Sequence, residues 1–257
     1  SLRAKNRVPG SDISGTVGAV GKDVTQFQPG DEVFGSHKGA FAEQVSFPEG
    51  SLALKPDNLT FQEASAMGVS ALTALQALRD QGKVRAGEKV LITGASGGVG
   101  GALVQLAKRR GARVIAMASE SKHNEVARLG PDRIIPRAPE DLRATLGDEK
   151  ITVVADIVAG SFWPSLIDIL ERGGRYTCSG AIAGPIVELD LRTFYLKDLT
   201  LTGSTIVPPD TLAKLVSYIE AGEVKPVLAA TYPLAQLREA QAAFIAKTHT
   251  GNIVVTM

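Results

Sequence analysis

The segment Val90–Leu91–Ile92–Thr93–Gly94–Ala95–Ser96–Gly97–Gly98–Val99–Gly100 constrains this chain more than any other stretch. An apolar strand runs into a glycine-rich turn. A helix follows, with an apolar stripe through Leu103, Leu106 and Ala107, and Gly111 ends it. Lys108, Arg109 and Arg110 fill its last turn, where the helix dipole favours cations. Glycine lets the backbone approach a diphosphate closely, and the helix start offers unbonded N–H groups and partial positive charge. Gly97 and Gly100 take the second and third glycine positions of the dinucleotide fingerprint, with Ala95 at the first. That pattern gains weight only from a strand before it, a helix behind it and a further strand after; Arg113–Met117 supplies the last. The segment points to nucleotide binding.

From Lys89 onward, strands and helices alternate. Val90–Thr93, Arg113–Met117, Arg133–Ile135, Ile151–Ile157, Arg175–Ser179 and Leu199–Ser204 read as strands, with helices near 98–110, 122–129, 139–146 and 162–171. Continuous apolar strands with helices between them imply a parallel sheet covered on both faces. Six of them match a complete Rossmann doubly wound sheet, so the fold class is α/β. Ahead of this region the texture is different. Val17–Gly21 is small and alternating, Gln28–Pro29–Gly30–Asp31 suits a type II turn, and Asp31–Phe34 and Phe41–Val45 read as strands of a barrel or small sandwich. Thr60–Phe61–Gln62–Glu63 fits a capping box opening a helix through Ala71, Leu72, Leu75 and Leu78. The tail adds strand Val227–Thr231, helix Leu234–Ala246 and strand Ile253–Thr256, the last expected to return to the first domain. The expected division is 1–60 with 226–257 as one domain and 61–225 as the dinucleotide-binding domain.

Composition mainly excludes. A net charge of +1 gives no bulk field for nucleic acid or an anionic membrane. No apolar run approaches the roughly 18 residues of a membrane span. The single Cys178 excludes an internal disulfide and a multi-cysteine zinc site, and inside an apolar strand it reads as a small hydrophobe. The expected location is the cytoplasm. His37, His123 and His249 lie far apart, and no Ser–His–Asp set or paired-carboxylate motif is present, so no catalytic residue is named.

The end of the second sheet strand bears on which dinucleotide is bound. An NAD protein usually places an acid there for the ribose 2′-hydroxyl, and this sequence has Ala118. Ser119 and Lys122 are suited to a 2′-phosphate, with Arg137 in the loop after the third strand to join them. The expectation is NADP(H). Glu120 turned to the ribose would select NAD instead.

The ordered motifs resemble the medium-chain dehydrogenase/reductase family, in its zinc-independent quinone oxidoreductase (zeta-crystallin-like) branch. They are Val8–Pro9–Gly10–Ser11–Asp12–Ile13–Ser14–Gly15, Gln28–Val33, Gly39–Glu43, Ala71–Leu78, Gly94–Gly100, Gly173–Gly174–Arg175 and Leu199–Ser204. The resemblance implies a Rossmann domain joined to a partial GroES-like β-barrel domain. Zinc-dependent relatives begin with Gly-His-Glu where this chain has Gly10, Ser11 and Asp12, and a later cysteine ligand of theirs matches near Gly68. Their four-cysteine lobe would fall between Gly35 and Gly39, where only Ser36–His37–Lys38 stand. The expectation is therefore no metal.

The resemblance also implies roles. Ser96 and the backbone of Gly97, Gly98, Val99 and Gly100 take the pyrophosphate, Thr73 lies near the nicotinamide, and Ser119 with Lys122 takes the 2′-phosphate. Val158, Ala159, Gly160, Ser179, Gly180 and Ala181 border the nicotinamide. A segment of relatives that usually reads Gly-Lys is Gly251–Asn252 in this chain, which removes a cation. The strand ending at Gly203–Ser204 often pairs across a homodimer in the family. Relatives carry several dozen residues ahead of Val8, so the chain is expected to be a fragment or trimmed form of a longer protein or a variant with a smaller first domain, with an unpartnered strand edge in each case. The implied activity is NADPH-dependent reduction of a small-molecule quinone or activated enone, with no nucleic-acid or membrane partner. The alternatives are an enoyl-thioester reductase of the same superfamily and a non-catalytic NADPH-binding sensor or structural protein.

Overall fold

A computed structural model describes residues 8–205, 208 and 210–257. Its strands are β1 (Asp12–Thr16), β2 (Glu32–Ser36), β3 (Leu52–Leu54), β4 (Lys89–Ile92), β5 (Arg113–Ala118), β6 (Arg133–Pro136), β7 (Ile151–Asp156), β8 (Leu170–Cys178), β9 (Thr200–Gly203), β10 (Leu228–Pro233) and β11 (Asn252–Thr256). Its α-helices are α1 (Phe61–Ser65), α2 (Gly68–Gln76), α3 (Gly98–Arg109), α4 (His123–Ala127), α5 (Leu142–Leu146), α6 (Trp163–Asp168), α7 (Leu191–Leu196), α8 (Asp210–Glu220) and α9 (Leu237–Ala246). Two compact units divide the chain: residues 1–72 with 209–257, and residues 73–208.

The second unit holds a six-stranded sheet in the order β6-β5-β4-β7-β8-β9, with every neighbouring pair parallel. This is the doubly wound α/β sheet expected from the sequence. Its two central strands, β4 and β7, are mostly apolar because both faces are covered: Val90, Leu91, Ile92, Val153, Val154 and Ala155 are all fully buried. Trp163 of α6 meets the ring of Tyr176 of β8 edge-on, with centroids 5.8 Å apart. The strand order reverses between β4 and β7, where the carboxyl ends of strands leave a crevice in folds of this class. The helix expected over 162–171 is shorter than its apolar pattern. It ends at Asp168, and β8 begins at Leu170. Helix α7, opened by the Asp190 carboxylate accepting from the Arg192 amide, has no counterpart among the expected elements.

In the first unit, β1, β2 and β3 form an antiparallel sheet, and β10 pairs with β11 in parallel. The turn at Gln28–Asp31 forms as expected, with Gly30 at φ +98° and the Asp31 amide donating to the Gln28 carbonyl at 3.2 Å. The expected strand Phe41–Val45 is absent. The Phe41 amide donates to Pro9 O at 3.0 Å and the Gly39 amide to Gly10 O at 3.0 Å, so the backbone is committed to turns against the Pro9–Gly10 segment. The alternating Val17–Gly21 is likewise irregular, the strand lying just before it as β1.

The capping box at Thr60 is present in both directions: Glu63 N donates to Thr60 Oγ1, and Thr60 N donates to the Glu63 carboxylate. The helix it opens does not run on as one piece. It stops at Ser65, and α2 starts afresh at Gly68. Asp12 of β1 explains the second start, because its carboxylate accepts the Val69 amide at 2.9 Å, capping α2 from a distant strand. Burial pushes the Asp12 carboxyl up to about 6, with the Val69 amide and the Ser36 hydroxyl holding it down in part. Between pH about 4 and 6 the folded protein therefore keeps a proton that the unfolded chain has lost, so this group's contribution to stability declines as pH rises through that window. Asp12→Asn keeps an acceptor for Val69 and removes the titration. Between pH 4 and 7 the variant is expected to gain on the parent protein by on the order of 1–3 kcal/mol in urea melts. Parallel pH profiles for the two proteins would refute the assignment.

Candidate functional site

Beyond β4 the chain turns sharply at Gly94, whose φ is +60°. The Gly97 amide donates to Gly94 O at 3.0 Å and the Ala95 amide to Met117 O at 3.1 Å, pinning the turn to itself and to β5. A Cβ on Gly100 would stand 2.0 Å from Gly94 O and 2.6 Å from Gly94 C, so α3 returns against the turn at a distance only glycine permits. Gly97 caps α3 in extended conformation with no side-chain cap, and the first amides of a helix have no intrahelical partner. Gly98 and Val99 follow in that first turn, and Ser96 precedes it, all half-buried.

Two further loops lie beside this turn. A Cβ on Gly94 would touch Ile157 Cδ1 at 3.0 Å and Val158 Cγ2 at 3.2 Å. The Ala183 amide donates to Val158 O at 2.9 Å and the Gly160 amide to Gly184 O at 3.2 Å. A Cβ on Gly180 would meet Ile157 O at 3.0 Å, and Ser179 N donates to Asp156 O at 2.9 Å. Ser96, Gly97, Gly98, Val99 and Gly100, then Val158, Ala159 and Gly160, then Ser179, Gly180 and Ala181 thus belong to one connected set of loops. They sit at the carboxyl ends of β4, β7 and β8, on either side of the reversal in strand order. Half-buried Cys178 donates its thiol to Gly180 O at 3.3 Å, a packing role within the third loop.

Ser119 follows β5 in extended conformation and makes no cap hydrogen bond to the 3-10 turn Glu120–Lys122. The Arg137 charge acts on Lys122 across that end of the sheet, so the two cations are neighbours. Glu120 is exposed. Thr73 is half-buried in the second turn of α2, and among the described residues no hydrogen bond joins it to the three loops. The sequence reading passed over Asp156, Thr93 and Tyr176, buried polar residues that meet behind these loops. The available signal was an acid closing the largely apolar strand Ile151–Ala155.

Comparison with known proteins agrees with this geometry. The family descriptions "Zinc-binding dehydrogenase" and "Alcohol dehydrogenase GroES-like domain" match residues 98–221 and 2–57. The quinone oxidoreductase of Mus musculus is 31% identical over 97% of this chain and 80% of its own length. The chain belongs to the medium-chain dehydrogenase/reductase superfamily. Its likeness is to the quinone oxidoreductase branch. The spectinabilin polyketide synthase system protein NorB of Streptomyces orinoci is 35% identical over 99% of this chain, which spans only 12% of that protein. A mycobacterial protein solved in complex with NADPH superposes with a TM-score of 0.90 at 28% identity, covering 100% of this chain and 84% of its own.

The superfamily points to a nicotinamide coenzyme, and the loop residues fit one. The Gly94–Gly100 turn is held open by glycine, and the start of α3 has amides without a side-chain cap. The family description also implies zinc, and the donor set does not fit it. A Cβ on Gly68 would lie 2.5 Å from Asp12 Oδ1, so the carboxylate fills the space a ligand side chain at Gly68 would need. Exposed His37 sets its ring edge against Phe47, with centroids 5.5 Å apart. Among the described residues no group of three or more His, Cys, Asp and Glu is placed to hold a metal ion.

Gly97 and Gly100 separate approach from packing. Gly100→Ala forces a backbone clash and is expected to cost about 1–3 kcal/mol in a denaturant melt. Gly97→Ala meets only Gly94 O at 3.5 Å in an allowed conformation. It is expected to cost less than about 1 kcal/mol. Equal losses in the two variants would overturn the distinction.

Proposed function

We infer that the chain is an NADPH-dependent oxidoreductase that reduces a quinone or an activated enone without zinc, as a cytoplasmic homodimer. One conjunction carries the reading: uncapped amides opening α3, and a carboxylate standing where a zinc-dependent relative has a ligand. When bound, the coenzyme supplies a hydride to an electron-poor acceptor whose charge spreads over a conjugated system, so no Lewis acid is required. The amides of Gly98, Val99 and Gly100 bind the diphosphate. Thr73, Val158, Ala159, Gly160, Ser179, Gly180 and Ala181 border and orient the nicotinamide, and solvent or a weak acid supplies the proton.

The Ser119 hydroxyl and the Lys122 ammonium hold the 2′-phosphate, with Arg137 beside them. Burial first, and the Arg137 charge second, hold the Lys122 ammonium below its ordinary range, with Glu125 working the other way. A phosphate between two cations relieves that repulsion, which supports NADPH over NADH. The homodimer reading draws on β9, an edge strand of the sheet, and on Ile182, Ile186, Leu191, Tyr195 and Leu196, all exposed in the segment leading to it. A second copy paired along β9 covers both.

The likeness to a polyketide synthase protein favours a second reading, reduction of an enoyl thioester. Consumption of NADPH with a small quinone, an enone or a crotonyl thioester separates the two, and binding without turnover of any of them would overturn both. For the coenzyme, Lys122→Ala is expected to weaken NADPH about tenfold or more while NADH changes little, measured by calorimetry. Equal weakening of the two would show that Lys122 does not read the phosphate.

A further inference from the structure

Asp156, the last residue of β7, is only 1% exposed and lies at the centre of the sheet where the strand order reverses. Its Oδ1 accepts from Thr93 Oγ1 at 2.5 Å, from the Val158 amide at 2.8 Å and from the Ala159 amide at 3.1 Å. Its Oδ2 accepts from Tyr176 Oη at 2.6 Å and from the Ala159 amide at 3.2 Å. Burying a carboxylate is costly, and a valine or isoleucine would fill the end of a central strand at no such cost. The groups it gathers say what it is for. Two are amides of the Val158–Gly160 loop, and one is the hydroxyl of Thr93, immediately before the Gly94 turn. Thr93 Oγ1 in turn accepts the Ile157 amide at 3.1 Å, so one hydroxyl ties the phosphate turn, β7 and its loop together.

The loop held in this way is strained. Ala159 has φ +53° and ψ −137°, a conformation that a residue with a Cβ rarely takes and that costs on the order of 1–3 kcal/mol. Gly160 follows at φ +72°, and a Cβ there would stand 2.7 Å from Ala183 Cβ. The Asp156 carboxylate binds the amide of the strained residue itself. Tyr176 is a dependable donor to it: burial, then the Asp156 charge, raises the phenol above its ordinary range, so the hydroxyl stays protonated.

We propose that Asp156 is a positioning residue that holds the Val158–Ala159–Gly160 loop in its strained conformation for the nicotinamide end of the coenzyme, with Thr93 linking that loop to the phosphate turn. The proposal rests on the dinucleotide reading given above. It separates the two ends of the ligand: the loop serves the nicotinamide, whereas the amides of α3 and Ser119 serve the phosphates.

The test measures dissociation constants of the full chain for NADPH and NADH and for their nicotinamide-free fragments, 2′-phospho-ADP-ribose and ADP-ribose. Asp156→Asn keeps the shape and one acceptor but turns the other into a donor. It is expected to weaken the preferred coenzyme about tenfold while its fragment binds within about twofold of the parent protein, the consequence of a buried amide or hydroxyl losing its partner. A lower fluorescence anisotropy of the bound reduced nicotinamide should accompany that loss. Equal weakening of coenzyme and fragment, or no weakening of either, would overturn the proposal. Failure of the unsubstituted protein to bind any of the four compounds would overturn the dinucleotide reading and this proposal with it, and is recognised because no variant is involved. Tyr176→Phe removes a single bond to Oδ2 and guards against loss of folding in Asp156→Asn. It is expected to show the same selectivity at a few-fold, and loss of fragment affinity in step with coenzyme would count against the proposal.

Discussion

Helix α3 can return against the turn that precedes it only because residue 100 has no side chain. With Gly94 O standing 2.0 Å from where a Cβ would be, the carbonyl and the helix share one space. That approach sets where the uncapped amides of α3 lie relative to β4, and β4 lies at the centre of the parallel sheet. The loops after β7 and β8 then have a fixed neighbour to pack on, through Ile157 and Val158 beside Gly94 and through Gly180 beside Ile157. Remove the close approach and the amides, the turn and the two loops lose their common reference.

The centre of the sheet was legible because its middle strands are buried on both faces and so read as largely apolar runs. Val90–Ile92 and Ile151–Ala155 admit few other readings. The first unit was harder. Phe41–Val45 alternates like a strand, yet the Phe41 amide is taken by Pro9 some thirty residues earlier and the Gly39 and Ala40 amides just before it by Gly10, a pairing that no local pattern announces. β3 escaped notice for the opposite reason, since Leu52–Leu54 is too short to show a period and gains its place only from pairing with β2. The long helix expected after Thr60 breaks because Asp12, from a distant strand, offers α2 a new start at Val69.

In the candidate site, what could be read locally was read, and what depends on distant partners was not. The glycine turn and the cationic pair Lys122 and Arg137 announce themselves by residue type. Asp156 does not. An aspartate at the end of a strand ordinarily faces water. Only when β4 and β8 flank β7 does it become clear that Thr93 and Tyr176 converge on its carboxylate. Sheet order, a long-range property, turns an ordinary acid into the centre of a buried network.

The Asp12 carboxylate, lodged where a side chain at residue 68 would have to be, makes the cap of α2 and the emptiness of position 68 one constraint. A cysteine placed at Gly68 would be driven into that carboxylate. The smallest residue at 68 and the acid at 12 are therefore fitted to each other. Position 68 is not free to change alone: any side chain there has to dislodge the acceptor on which the Val69 amide depends.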